Sequence, residues 1–98
     1  MTENREAPLT LRLLTPSGIA AEERCDSIVL TLPDGQDGKG GGSLGIRRGH
    51  VPALMALAEG CITARLGGQI LARFKIPGGF ASVEKDIVTV ITDKANRI

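Results

Sequence analysis

The sequence predicts an all-β fold: a small β-sandwich or flattened barrel of about 8–10 short strands. Two observations lead to it. Short apolar runs alternate with polar residues, and turn residues interrupt these runs about every eight to twelve positions. The chain of 98 residues suffices for one domain, and only 2% of its residues are aromatic. The core must therefore be built from Leu, Ile, Val and Ala.

The predicted strands are alternating or β-branched runs that end at turn residues. They cover residues 9–14, 19–23, 27–32, 61–66, 69–76, 80–83 and 86–92. The pair Gly67-Gly68 separates two of these runs, and it is a strong hairpin signal because both central positions of such a turn favour positive φ. Residues 51–59, VPALMALAE, suit a helix by propensity or a buried strand by context, and the neighbouring strands favour the strand.

The domain is predicted to span residues 9–98, after a mostly polar, flexible tail over residues 1–8. No signal peptide and no apolar run of membrane-spanning length is found, which predicts a cytosolic chain without direct membrane insertion. Cys25 and Cys61 are then expected to be reduced core residues. Residues 34–42 are rich in glycine and are expected to form a mobile surface loop.

Charge and composition argue against several classes of function. Twelve basic and eleven acidic side chains leave a net charge of +1, which gives no general attraction to nucleic acid or anionic lipid. The scarcity of aromatic side chains also argues against a platform for single-stranded nucleic acid. Two distant thiols and one histidine are too few for a metal site, so no metal or other cofactor is predicted.

The most distinctive stretch is GSLGIRRGHVPAL, residues 42–54. Gly40, Gly42 and Gly45 match the spacing of a dinucleotide-binding loop, but the residues after them do not favour the helix that such a site needs, so a chance match is favoured. His50 has no nucleophile partner at a recognisable spacing. The stretch therefore predicts no catalytic residue and no nucleotide site.

Two adjacent arginines, Arg47 and Arg48, lie between glycines in this stretch. Their placement favours an exposed edge that binds the carboxylates of a partner. Gly45 and Gly49 are expected to adopt positive φ in a tight turn. The segment is therefore interpreted as a docking loop on a rigid scaffold.

One alternative function is that of a carrier domain. Residues 92–95, TDKA, resemble the lysine turn of lipoyl and biotinyl carriers, which are also small β-sandwiches. In those domains the lysine sits at the tip of a hairpin, whereas only Asn96, Arg97 and Ile98 follow Lys94 here, with no second strand expected. A stand-alone carrier or ligand-binding module stays as the alternative, and the carrier predicts a covalent modification of Lys94.

Four stretches together resemble one family, the N-terminal β-sandwich of the ε subunit of F-type ATP synthases. They are LLTPSGIAAEE, GSLGIRRGHVPAL, CITARLGGQILARFKIPGGFASV and DIVTVITDKANRI. The second is the most specific, since it matches Gly-x-Leu-Gly-Ile, two residues, Gly-His, one residue, Pro-x-Leu. The chain departs from the family in an insertion over residues 34–42, and it stops where two C-terminal helices usually follow. The insertion raises an alternate F-type ATPase as the source, with proton or sodium left open as the coupling ion.

The resemblance implies a non-catalytic part of the rotor's central stalk, which locks the γ subunit to the membrane c-ring so that ion-driven rotation reaches the catalytic subunits. It implies no cofactor, and a peripheral position on the cytoplasmic face of the bacterial inner membrane. The ring-facing loop carried over by position is Ser43, Leu44, Gly45, Ile46, Arg47, Arg48, Gly49 and His50. The γ-facing residues are expected in the turn formed by Pro77, Gly78, Gly79 and Phe80.

Overall fold

The computed structural model describes residues 8–31, 42–49 and 51–98, and the regular structure in these ranges is β-strand throughout. The strands are β1 (Leu9–Thr15), β2 (Gly18–Cys25), β3 (Ser27–Thr31), β4 (Ser43–Arg47), β5 (Ala53–Leu57), β6 (Gly60–Leu66), β7 (Gln69–Ile76), β8 (Gly79–Glu84), β9 (Ile87–Ile91) and β10 (Asn96–Arg97). They form two five-stranded sheets. The first sheet has the order β2-β1-β9-β8-β5, and the second has the order β10-β7-β6-β3-β4. The predicted all-β sandwich is confirmed, and the described ranges contain no helix.

The two sheets enclose a core because each strand turns one side inward. Leu9, Leu11 and Leu13 of β1 are fully buried, whereas the residues between them are half-buried, as expected when successive side chains point to opposite faces. The other buried positions are mainly aliphatic, and Phe74 is the aromatic residue among them. The expected core of Leu, Ile, Val and Ala is confirmed.

One strand pair joins distant parts of the chain. β1 runs parallel to β9, with Leu11 opposite Val88 and Leu13 opposite Val90. The other strand pairs are antiparallel. The centre of the first sheet is therefore formed by strands from opposite ends of the domain, with β2 and β5 at its edges.

The predicted strands are found, with ends that shift by at most two residues. The ambiguous segment 51–59 contains strand β5, which pairs with β8 at one edge of the first sheet. The sequence patterns do not predict β4 or β10. β4 lies in the segment interpreted as a docking loop, where closely spaced glycines hide the inward alternation of Leu44 and Ile46, and β10 is only two residues long.

Three expectations about single residues are wrong. Gly45 lies inside β4 without positive φ, whereas Gly49 has the expected positive φ, at 82°. Ile46 is fully buried, so it belongs to the core and cannot face a partner. Cys25 is buried as expected, but Cys61 occupies an outward position of β6 and is only half-buried.

Some expectations fall on residues that the structure does not describe. These are the N-terminal tail up to residue 7, the insertion up to residue 41, and His50. Of these segments the structure describes Pro8, which is half-buried beside the start of β1, and Gly42, which is exposed before β4. The tail and the mobile loop therefore stay predictions.

Candidate docking surfaces

One end of the sandwich, called the lower end here, gathers several connections. Asp26 joins β2 to β3, Arg48 and Gly49 follow β4, residues 67–68 join β6 to β7, and residues 85–86 join β8 to β9. The antiparallel pairings bring these connections together, because β4, β6 and β8 end at this side of the sheets and their partners begin there. The opposite end, called the upper end, holds the β1–β2, β7–β8 and β9–β10 connections.

Two carboxylates hold the lower end together. Asp86 Oδ1 accepts a hydrogen bond of 2.8 Å from the backbone N–H of Gly49, and Asp26 Oδ2 accepts one of 2.9 Å from the N–H of Gly67. Each bond joins a carboxylate to a turn that is distant in the chain. Hydrogen bonds to ionised carboxylates are stronger than neutral ones. The backbone of the Arg48-Gly49 turn is therefore fixed to the β8–β9 connection of the first sheet.

The structure separates the residues of the predicted ring-facing loop. Arg47 and Arg48 lie together and exposed at the lower end. Ser43 is exposed at the upper end of β4, about 13 Å away along the strand, and Leu44 packs against the core. His50 lies outside the described residues. Of the described residues of this loop, the two arginines are therefore the ones that lie exposed side by side at one end of the sandwich.

The predicted γ-facing turn lies at the upper end and continues onto the first sheet. Gly78 and Gly79 adopt φ values of 129° and 150°, and a Cβ at Gly79 would overlap the carbonyl oxygen of Ile91. The buried hydroxyl of Thr92 donates a hydrogen bond of 2.6 Å to the Gly78 carbonyl. Beside this turn lies a cavity of about 590 Å³. It is lined by Leu14, Thr15, Pro16, Pro77, Gly78, Gly79, Phe80, Ile91, Thr92 and Asp93.

Apolar side chains cross the whole outer face of the first sheet in register. Ala56 pairs with Phe80, Phe80 with Ile91, Ile91 with Leu14, and Leu14 with Ile19. We call these five residues the apolar row. Phe80 is 57% exposed and Ile91 is 55% exposed, whereas the outward positions of a solvated sheet face are usually occupied by polar side chains. Contiguous exposed apolar surface of this kind marks interaction sites.

Sequence reasoning finds only Phe80 of the apolar row. The other members come from strands that are far apart in the chain. They become neighbours only through the register in which these strands pair. The one local signal is in β9, IVTVI, where Ile87 and Ile91 lie outward while Val88 and Val90 lie inward. A strand that is apolar on both sides is typical of a sheet covered on both faces.

The thiol of Cys25 is not a reactive group. Burial, together with the negative charges of Asp26 and Glu23, raises its pKa to about 11. The thiolate is the nucleophilic form of cysteine, and this group is protonated at neutral pH. In the ranges that the structure describes, no three His, Cys, Asp or Glu residues are grouped so as to hold a metal ion. No helix in those ranges is long and apolar enough to cross a membrane.

Lys94 does not occupy the position of a carrier lysine. A strand does follow it, contrary to expectation, but β10 pairs with β7 of the second sheet rather than with β9. Lys94 therefore lies in a connection that passes from one sheet to the other, where its backbone carbonyl is 3.3 Å from the Thr92 hydroxyl. The hairpin tip that the carrier turn requires is not formed.

The fold and its exposed surfaces define a two-sheet β-sandwich domain, with an apolar outer face on one sheet and an arginine pair at one end. A family model of the ATP synthase delta/epsilon chain β-sandwich domain matches residues 8–98. The chain therefore belongs to this family, as the N-terminal β-sandwich of an ATP synthase epsilon subunit.

Curated relatives and solved structures agree with this family. The chain is 34% identical over 89 residues to the ATP synthase epsilon chain of Synechococcus sp. (strain JA-2-3B'a(2-13)), covering 91% of this chain and 59% of the relative. It is 33% identical over 90 residues to that of Nostoc sp. (strain PCC 7120), covering 91% and 61%. The chain thus spans about three fifths of the length of these relatives.

Two solved structures share the fold. One is the OSCP/F1/c-ring structure of the Euglena gracilis mitochondrial ATP synthase, with a TM-score of 0.72 and 24% identity over 99% of this chain and 57% of that one. The other is the central stalk and c-ring of the Tetrahymena thermophila mitochondrial ATP synthase, with a TM-score of 0.64 and 16% identity over 94% and 68%. At these identities the two matches support the fold alone.

Proposed function

We propose that this domain is a non-catalytic part of the central stalk of an F-type ATP synthase, where it joins the γ subunit to the c-ring and so couples ion-driven rotation to the catalytic subunits. Membership in the family supports a place for this domain in the ATP synthase complex. The structural neighbours that share its fold come from assemblies whose names include a central stalk and c-rings, and we take the position within the complex from these names. In a bacterium this position is on the cytoplasmic face of the inner membrane.

The observation that carries the proposal is the apolar row. It offers the γ subunit a continuous apolar surface across five strands, and the cavity beside Phe80 can receive a side chain of the partner. Large aromatic side chains at the centre of an interface contribute most of its binding energy. The γ-facing surface is therefore the turn Pro77, Gly78 and Gly79 together with Phe80 and the rest of the apolar row.

The lower end is proposed to face the c-ring. Arg47 and Arg48 present their guanidinium groups there, with His50 following in the sequence, and arginine donates in a fixed fork to carboxylate and carbonyl oxygens. Ser43 and Leu44 contribute less to this contact, because they lie toward the other end of β4. The apolar row on the first sheet and the arginine pair at the lower end face in different directions. An adaptor between two partners requires such an arrangement.

Calorimetric titration against purified γ subunit of the same organism tests the first contact. Phe80→Asp places a charge in the apolar row, and Ile70→Asp, in the second sheet, is the matched control because Ile70 is 51% exposed. We expect saturable one-to-one binding with a negative heat-capacity change. Phe80→Asp should weaken it at least about tenfold, and Ile70→Asp should leave it unchanged. No binding to folded γ, or equal effects of both variants, would overturn the proposed interface.

Charge reversal of the arginine pair tests the second contact. Arg47→Glu with Arg48→Glu should weaken the coupling of ATP hydrolysis to ion pumping in reconstituted complexes and leave γ binding intact. Lys94→Glu, at an exposed position of the upper end, controls for a charge reversal away from the ring, with half the change in net charge. Unchanged coupling in the double arginine variant would remove the ring contact from the proposal. A mass increase on Lys94 in the purified protein would instead favour the carrier alternative.

A further inference from the structure

The outer face of the second sheet carries cations and no carboxylate on its strands. Arg73 and Lys75 occupy outward positions of β7, Arg65 occupies one of β6, and Arg47 occupies one of β4. We call these four residues the basic face. We infer that the basic face binds an acidic segment of a partner protein, in the groove between Arg47 and Arg65. This binding surface lies on the opposite sheet from the apolar row and goes beyond the proposed function.

The strand register builds the groove. Ser27 of β3 pairs with Arg47 on one side and with Arg65 on the other, so the two arginine Cα atoms stand about 10 Å apart across three strands. Two residues further along β3, Val29 pairs with Gly45. Gly45 has no side chain on the outer face, which leaves space above the sheet at this point. The groove has a volume of about 590 Å³. Its lining is Asp26, Ser27, Val29, Gly45, Arg47, Arg65 and Gly68.

The two arginines of the groove form no ion pair within the described residues. The guanidinium of Arg65 donates to the Gly68 carbonyl at 3.3 Å, a neutral acceptor. Arg47 is exposed and has no ion pair in the part of the chain that the structure describes. Asp26 also lines the groove and keeps its negative charge, but its carboxylate accepts the hydrogen bond from Gly67 N–H and forms no ion pair with either arginine. The two arginines therefore leave the groove with an excess of positive charge. The net charge of +1 for the whole chain thus conceals a face with several positive charges and few negative ones.

A protein segment fits this groove better than a nucleic acid or a membrane. The face offers no exposed aromatic ring for base stacking, since Phe74 is buried and Phe80 lies on the first sheet. A flat lipid surface cannot enter the concavity above Gly45. Arginine forks bind carboxylates through two parallel hydrogen bonds, and the hydroxyl of Ser27 between them adds a donor. An extended segment with alternating Asp or Glu residues matches this arrangement.

A labelled peptide of five Glu-Ala repeats, with a Gln-Ala peptide of equal length for comparison, tests the inference on the 98-residue chain. Fluorescence anisotropy at low and at physiological salt measures the affinity. Arg65→Glu and Arg73→Glu are the variants, and Lys94→Glu is the control with the same change in net charge. Arg47 is left unchanged, because it also belongs to the proposed ring contact, so the two proposals fail separately.

We expect the Glu-Ala peptide to bind and the Gln-Ala peptide not to bind. Arg65→Glu should weaken binding about tenfold or more, as for truncating one partner of a close charge pair, and Lys94→Glu should change it less than about twofold. In NMR spectra, the amide signals of Ser27, Val29 and Thr63 should shift on binding. Equal effects of Arg65→Glu and Lys94→Glu, the absence of binding at low salt, or tighter binding to phosphatidylglycerol vesicles than to the peptide would overturn the inference.

Discussion

Asp86 and Gly49, 37 positions apart in the chain, are joined by a hydrogen bond of 2.8 Å from the Gly49 N–H to the Asp86 carboxylate. Asp86 has a left-handed backbone with φ of 64°, and Lys85 before it has φ of 52°. The backbone carbonyl of Asp86 also accepts from the Thr10 N–H at 3.0 Å. One turn residue thus fixes the start of β1 and the loop that follows the arginine pair.

Replacing Asp86 tests this junction. Asp86→Ala removes the carboxylate acceptor and places a residue that tolerates left-handed φ poorly, so we expect the free energy of unfolding to fall by about 1–2 kcal/mol. Asp86→Asn keeps a side-chain oxygen and tolerates the same φ, so it should lose less than about half of that amount. Urea denaturation measures both. Equal losses in the two variants would show that the hydrogen bond to Gly49 does not contribute.

Gly79 and Gly45 form a second matched pair. Gly79→Ala forces a Cβ into the carbonyl oxygen of Ile91 at a φ of 150°, and we expect a loss of about 3 kcal/mol or more in the free energy of unfolding. Gly45→Ala meets nothing within 4 Å and lies in a strand, so its effect should stay within about 0.5 kcal/mol. Thermal unfolding of both variants measures the contrast. A mild effect at Gly79 would contradict the close approach of β8 to β9.

The hydroxyl of Thr92 is expected to stabilise the upper turn. Thr92→Val keeps the shape of this buried side chain but leaves the Gly78 carbonyl without its 2.6 Å donor, which should cost about 1–2 kcal/mol. Thr89→Val is the control, because Thr89 lies outward on β9, just before Thr92 in the chain, and is only half-buried. Chemical denaturation should show a loss at position 92 and almost none at 89. The reverse order would mean that the turn is held by other contacts.

Cys25 makes stability depend on pH in the alkaline range. The folded protein keeps the thiol proton up to a pKa of about 11, whereas the unfolded chain releases it near the usual value of 9. The folded state therefore binds more protons in this interval, and the stability that is complete below pH 9 falls as pH rises toward 11. Urea midpoints between pH 8 and 11 should fall more steeply for the native protein than for Cys25→Ala. Parallel slopes in the two proteins would refute the prediction.

The strands with clear alternation could be predicted, because their pattern is local. In β1 and β9 the buried positions follow a period of two that needs no knowledge of partners. β4 was within reach of the same reasoning, since Leu44 and Ile46 alternate with Ser43 and Gly45, but the glycines favoured a loop. The arginine pair could be singled out from its place between glycines, whereas the resemblance to a family supplied its expected partner and the Phe80 turn as a candidate site.

The remaining surface features depend on register, which the sequence does not specify. Phe80, Ile91 and Leu14 become neighbours only when β8, β9 and β1 pair in their observed alignment. The groove between Arg47 and Arg65 likewise requires β3 between β4 and β6. A shift of one residue in any of these pairs would turn the same side chains toward the opposite face.

The parallel pairing of β1 with β9 also governs how the chain acquires its structure during synthesis. β1 is synthesised well before β9, so its parallel neighbour is complete only once Ile91 has been made. Hairpins such as β6–β7 can form from adjacent residues, whereas the first sheet must wait for contacts across almost the whole chain, and such long-range pairing folds slowly. Until β9 is complete, the leucines of β1 lack their neighbour in the sheet, and transiently exposed apolar surface of this kind is prone to aggregation.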